Sequence, residues 1–149
     1  MGSGQICATI IQKGHIKLII FIVIYEIYNN NIMVLEKIIF VRSVRREIVY
    51  LVGKTQYENF DIIDASGEND VWFHIEGFPS GHVIARTDDL TMDKKQKRDI
   101  VTQGAVLCKQ HSKYKSDKNV KIVYSMIKNI QKTAVVGQVR VSNPSYVVI

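Results

Sequence analysis

The sequence predicts an α+β fold: one domain on a largely antiparallel or mixed sheet of about six or seven strands, with two helices. Three observations predict it. Short β-branched-rich runs recur along the chain and are separated mostly by turns, as in hairpins rather than βαβ units. Only two stretches pair a helix cap with apolar residues at helical spacing. With 149 residues, 46% hydrophobic and 23% charged, the composition is that of a single ordinary globular domain able to bury a core.

Lys37 to Val41 and Ile48 to Val52 are strand runs flanking the polar segment Arg42 to Glu47, an opening hairpin that Gly53 ends. Thr55-Gln56-Tyr57-Glu58 fits a capping box, which predicts a short helix over about residues 56–64 before Ser66-Gly67-Glu68-Asn69 breaks it. The central hairpin follows. In its first strand Val71, Phe73 and Ile75 face one way and Asp70, Trp72 and His74 the other; its second strand is His82 to Arg86. After the turn Thr87-Asp88-Asp89, Thr91 or Asp93 caps a longer helix whose buried stripe is Ile100, Val101, Gly104, Ala105 and Cys108. Val120 to Tyr124, Gly137 to Val141 and Ser145 to Ile149 read as strands, with Lys128 to Lys132 bridging the first two and Asn143-Pro144 turning between the last two.

Residues 1–32 differ from the rest. Leu18 to Tyr25 is an unbroken apolar run of eight closed by Glu26, too short for the ~20 residues of a membrane-spanning helix. It is open to being a secretory signal, although Tyr28-Asn29-Asn30-Asn31 stands where small residues would precede cleavage, or an extension ahead of a start at Met33. Cys7 and Cys108 show neither zinc nor disulfide spacing, which suggests a reducing, cytoplasmic setting. No metal or cofactor motif is present, so none is expected.

The net charge of +6 is concentrated: residues 107–149 carry eight Lys/Arg against Asp117 alone. Such a segment is either a solvated edge or the footprint of a polyanion.

The Trp and His residues of the central hairpin are the candidate site. Trp72 on an open strand face would be a stacking surface for bases, although a lone Trp also fits a core. His74 lies on the same face, and His82 sits opposite it if the register holds. The amides opening the 56–64 helix, beside Lys54, form a candidate phosphate seat, with Lys121, Lys128 and Lys132 tracking a backbone beyond. Asn59 equally fits a hydrogen bond to a neighbouring loop, Gly53 a positive-φ turn, and His82 a structural hydrogen bond. Two other function classes are open. His74 and His82 would serve as acid and base in RNA cleavage, but no nucleophile elbow, P-loop or metal spacing accompanies them. A protein-docking module would instead use Tyr146 to Ile149 as an edge strand.

Four motifs in order, Gly53-Lys54-Thr55-Gln56-Tyr57-Glu58-Asn59, Asp70-Val71-Trp72-Phe73-His74, Ser80-Gly81-His82-Val83, and Val123-Tyr124 with Lys128-Asn129-Ile130-Gln131-Lys132, resemble the NFACT-R domain, in the small stand-alone coiled-coil-domain-containing eukaryotic type. The resemblance covers residues 33–149, and Met33 falls where such relatives begin, so 1–32 is expected to be a leader or an extension ahead of a start at Met33. It implies a non-catalytic module binding nucleic acid, above all RNA (tRNA or rRNA), with a possible ribosome-associated role. Gly53, Asn59, Asp70, Trp72, His74 and His82 match the family pattern, Gly53 and Asp70 as structural positions.

Overall fold

A computed structural model describes residues 34–149; the expected leader, with Cys7 and the run Leu18 to Tyr25, lies outside them. The opening hairpin forms from β1 (Leu35–Val41) and β2 (Arg46–Val52), in register along all seven residues. Its four-residue connection closes with Arg45 N–H donating to Val41 O at 2.9 Å. The first helix, α1 (Gln56–Asp64), starts where the capping pattern put it: Thr55 Oγ1 accepts from Glu58 N–H. The Glu58 carboxylate reaches one residue further back than a capping box requires, accepting from Lys54 N–H at 2.7 Å.

β3 (Val71–Ile75) and β4 (Val83–Ala85) make the central antiparallel pair. The long helix α2 (Lys94–Gln110) is capped by Asp93, whose carboxylate accepts from Gln96 N–H while the Gln96 side chain accepts from Asp93 N–H. Ile100, Val101, Gly104, Ala105 and Cys108 are buried, with Leu107 added. β5 (Lys121–Met126) follows, then β6 (Ile130–Lys132), β7 (Val139–Val141) and β8 (Ser145–Val148).

Six of these strands form one sheet in the order β1-β2-β4-β3-β5-β8, and every neighbouring pair is antiparallel. The remaining two, β6 and β7, pair as a separate ribbon, where the sequence suggested only a connection and one strand. Strand alternation divides the core in two. Val71, Phe73 and Ile75 share one face with Ile48, Tyr50, Val52 and Ile122, and α2 covers it through Ile100, Val101, Ala105 and Cys108. Gly104 lets the helix in, because a side chain there would collide with the Phe73 ring. Trp72, Leu51, Ile84 and Val123 occupy the opposite face, beneath Ile62 and Ile63 of α1, with Ile130, Val139 and Val141 of the ribbon packed alongside. Each large apolar side chain so buried stabilises the fold by about 1.5–3 kcal/mol. Burial also pushes the Tyr50 phenol pKa up, and its hydroxyl donates to Ile100 O.

Candidate nucleic-acid interface

Asp70 fixes the hairpin at one end. Its buried carboxylate accepts from three amides, Gly67 N–H at 2.9 Å, Thr87 N–H at 2.6 Å and Asp88 N–H at 2.8 Å, which ties the entry to β3 to the exit from β4. All three of these contacts are to backbone within the hairpin's own connections.

At the other end α1 is locked onto the hairpin. Gly53 N–H donates to His82 O, and His82 N–H donates to Asn59 Oδ1, both at 2.9 Å. Asn59 is therefore the loop-tying residue of the structural alternative. Neither Gly53 nor Gly81 has positive φ; close approach requires them instead. A Cβ on Gly53 would sit 2.5 Å from Asn59 Oδ1, and one on Gly81 would collide with Gly53 O. Beside Lys54, the Glu58 carboxylate accepts from the Lys54 N–H, which places a negative charge next to the expected phosphate seat.

The hairpin register runs Trp72 opposite Ile84 and Phe73 opposite Val83, so the next pair out is His74 with His82. Their rings meet edge to face at 5.2 Å between centroids. Trp72 completes the trio, stacked on His74 at 5.7 Å and edge-on to His82 at 5.1 Å. This corrects the expectation of an open stacking surface. Trp72 is 1% exposed and His82 2%, because α1 and the β6–β7 ribbon cover a face that alternation alone left open. Burial, then the neighbouring His74 ring, pulls the His82 pKa down to about 3, while its backbone contact with Asn59 acts weakly the other way. Burial also lowers that of His74, which is half-buried. Both are neutral near pH 7, and His82 cannot reach a substrate, so the geometry lends no support to an acid–base pair. Trp72 Nε1 and His82 Nδ1 find no hydrogen-bond partner among the described residues.

The antiparallel order brings the start of β1, the end of β2, the start of β4, the end of β3, the start of β5 and the end of β8 to one end of the sheet. Lys54 and Lys121 lie there, both exposed. So does the segment from the C-terminus of α2 to β5, with exposed His111, Lys113, Lys115 and Lys118. Burial, then the positive field of Lys37 and Lys54, lowers the His111 pKa. Aromatics accompany these cations, Phe78 and Tyr146 exposed and Tyr114 partly buried against the core. Phe78, 55% exposed, meets the Tyr114 ring at 5.2 Å, Lys113 Nζ lies 5.2 Å from the centroid of Tyr114, and Lys121 Nζ lies 4.1 Å above Tyr146. Glu36, Glu58, Glu76 and Asp117 are the acids at this end. Lys128 and Lys132 lie elsewhere, near the C-terminal end of α1: Lys128 Nζ donates to Asn69 Oδ1 and Lys132 Nζ pairs with Asp64 at 2.6 Å.

Sequence reasoning did not bring Phe78, His111 and Tyr114 to this end, and it offered Lys113 only within the lysine-rich C-terminal segment. Their only linear signal was the general lysine excess, since a loop after α2 meets the β3–β4 turn through topology alone.

Residues 37–143 match the model of the family described as NFACT protein RNA binding domain. Among curated proteins, coiled-coil domain-containing protein 25 of Mus musculus is 33% identical over 84 residues, 56% of this chain and 40% of that protein. The coiled-coil domain-containing protein 25 homolog of Dictyostelium discoideum is 29% identical over 98 residues, 65% of this chain and 48% of that protein. The chain thus spans less than half the length of these relatives. A solved structure, the C-terminal of the fibronectin/fibrinogen-binding protein from Streptococcus suis, superposes with a TM-score of 0.59 at 23% identity, covering 68% of this chain and 40% of that one. At that identity the likeness is one of fold. Among the described residues no helix is long and apolar enough to cross a membrane.

Proposed function

The chain belongs to the NFACT protein RNA binding domain family, a family of nucleic-acid-binding modules, and from that premise we propose that it binds RNA without catalysis. The observation that carries this reading is the gathering at the His82 end of the sheet of exposed lysines that have no acidic partner among the described residues, together with the aromatics Phe78, Tyr114 and Tyr146. Lys54 and Lys121, with Lys113, contact phosphates; Phe78 and Tyr114 stack on unpaired bases, and half-buried His74 offers its ring edge. Asn59, Trp72 and His82 hold this surface in shape from beneath. Lys128 and Lys132, tied to Asn69 and Asp64, extend the positive field and contribute less. The RNA is tRNA or rRNA, met in the cytoplasm near the ribosome.

The test is a salt titration of binding to labelled tRNA and to single-stranded RNA and DNA of one sequence. Steep salt dependence with RNA preferred over DNA supports the reading, and absence of binding at low salt rejects it. A second reading has its own observation: β8 is an edge of the six-stranded sheet and exposes Tyr146 and Val148. A partner strand added there would stay bound in high salt and after nuclease treatment.

A further inference from the structure

At the end of the sheet opposite His82, where β3 starts and β5 ends, a cleft of about 110 Å³ opens between the first turn of α2 and the start of β8. Its polar lining is Lys97, Ser125, Asn129, Asn143 and Ser145, and none of its eight lining residues is acidic. The cleft is braced from within. The Ser125 hydroxyl, on a residue only 6% exposed, accepts from Asn129 Nδ2 at 3.0 Å and lies within hydrogen-bond reach of the Ser142 and Asn143 carbonyls. Asn129 O in turn accepts from Ser142 N–H at 2.9 Å. That leaves the Lys97 ammonium, the Asn143 amide and the Ser145 hydroxyl without a hydrogen-bond or ion-pair partner among the described residues. Free donors and a positive charge around a space with no carboxylate suit an anion with several oxygens. The space is well below the ~300 Å³ at which sites for whole drug-sized molecules begin, so it admits a group rather than a nucleotide.

The helix supplies a second, independent reason. Lys94 and Lys97 lie one turn apart at the end of α2 where the backbone dipole is already positive, and Lys95 and Arg98 add to the charge. Asp93 offsets part of this as the N-cap, and Arg98 pairs with Asp99 at 3.8 Å. Lys94, Lys95 and Lys97 have no acidic partner among the described residues. Such a cluster weakens the helix on its own, and an anion beside Lys97 relieves it. We propose that this cleft binds a phosphate group, with Lys97 Nζ, Asn143 Nδ2 and Ser145 Oγ donating to its oxygens. The phosphate is either a free ion or part of a nucleic-acid chain. The cleft is separate from the surface at the His82 end and binds phosphate whether or not that surface binds RNA.

The experiment is an NMR titration of the isotope-labelled full chain with sodium phosphate, against sodium chloride at matched ionic strength. It follows the side-chain amide of Asn129 and the backbone amides of Asn143 and Ser145. Phosphate is expected to shift these signals saturably and chloride to leave them in place. Lys97→Ala and Asn143→Asp, both at exposed positions, should each weaken phosphate binding by about tenfold or more. Asp tolerates the φ of 52° at position 143, so the second variant keeps the turn while replacing a donor by a negative charge. Lys118→Ala, which removes an exposed lysine at the other end of the sheet, should leave the affinity unchanged. A 5′-phosphorylated trinucleotide and its 5′-hydroxyl counterpart then identify the source. Shifts with both assign the cleft to phosphates within a nucleic-acid chain, shifts with the first alone to a terminal phosphate, and shifts with neither to the free ion. Phosphate shifts no larger than those of chloride overturn the proposal, as does an affinity that neither Lys97→Ala nor Asn143→Asp reduces.

Discussion

Trp72 is where a binding role and a structural role are most easily confused, and its burial separates them. Truncating a fully enclosed indole leaves a cavity, so Trp72→Ala is expected to lower stability by about 3–5 kcal/mol. Chemical denaturation checks this, and Trp72→Phe should retain RNA binding wherever the protein is folded. The Gly81→Ala variant, whose Cβ would collide with Gly53 O, should lose about 1–3 kcal/mol by forcing apart the α1 lock. His82 gives a pH dependence whose sign is fixed. Its folded pKa of about 3 lies below the 6.5 of the free group, so the unfolded chain takes up a proton that the folded chain refuses. Stability is complete above pH 6.5 and falls as the pH drops from there towards 3, and His74, shifted the same way, adds to the loss. Each unit of separation corresponds to about 1.4 kcal/mol. Unfolding free energies at pH 7 and pH 5 check this, and His82→Gln should flatten the difference. Alternation placed Trp72 and His74 on one face and left His82 opposite His74 conditional on the register, which the pairing of Trp72 with Ile84 supplies. It was silent on whether that face was covered, because the cover comes from Ile62, Ile63 and the ribbon, all distant in sequence from the hairpin.

At the scale of elements, local chemistry was legible where caps and periodicity were strong. Asp93 caps α2 through a reciprocal pair with Gln96, and Asp93→Ala should cost about 1 kcal/mol in thermal or chemical unfolding while leaving the sheet intact. Thr55 likewise marked the start of α1, and the α2 stripe from Ile100 to Cys108 is buried as its spacing indicated. Of the β6–β7 ribbon only β7 was legible, within the run Gly137 to Val141, and β6 with its pairing was not. β6 has three residues, too few for a period of two to show, and Lys132 lies next to turn residues in the chain. Its partner strand starts only at Val139, so pairing depends on a turn through Gly137, whose φ of 83° is available to glycine.

For the whole molecule the decisive property is where topology puts the charge. The lysine excess of residues 107–149 was visible in the sequence; its division between two ends of the sheet was not, since that depends on strand order. The division sorts the expected contributions. At the His82 end, Lys54 and Lys121 have exposed side chains with no acidic partner among the described residues, whereas Lys132 is paired with Asp64 and Lys128 is bonded to Asn69. Neutralising a lysine that touches a phosphate removes one released counterion, which reduces the slope of log affinity against log salt by about 0.7 for single-stranded RNA. Lys54→Ala and Lys121→Ala should each show that reduction, and Lys132→Ala should show less, because Asp64 already compensates its charge. Phe78→Ala should leave the slope unchanged while weakening binding by about 1–3 kcal/mol at every salt concentration, the signature of lost base stacking. Fluorescence anisotropy across a salt series separates the two effects. If Lys132→Ala changes the slope as much as Lys54→Ala, the RNA runs past α1 rather than across the His82 end, and the interface has been assigned to the wrong end of the sheet.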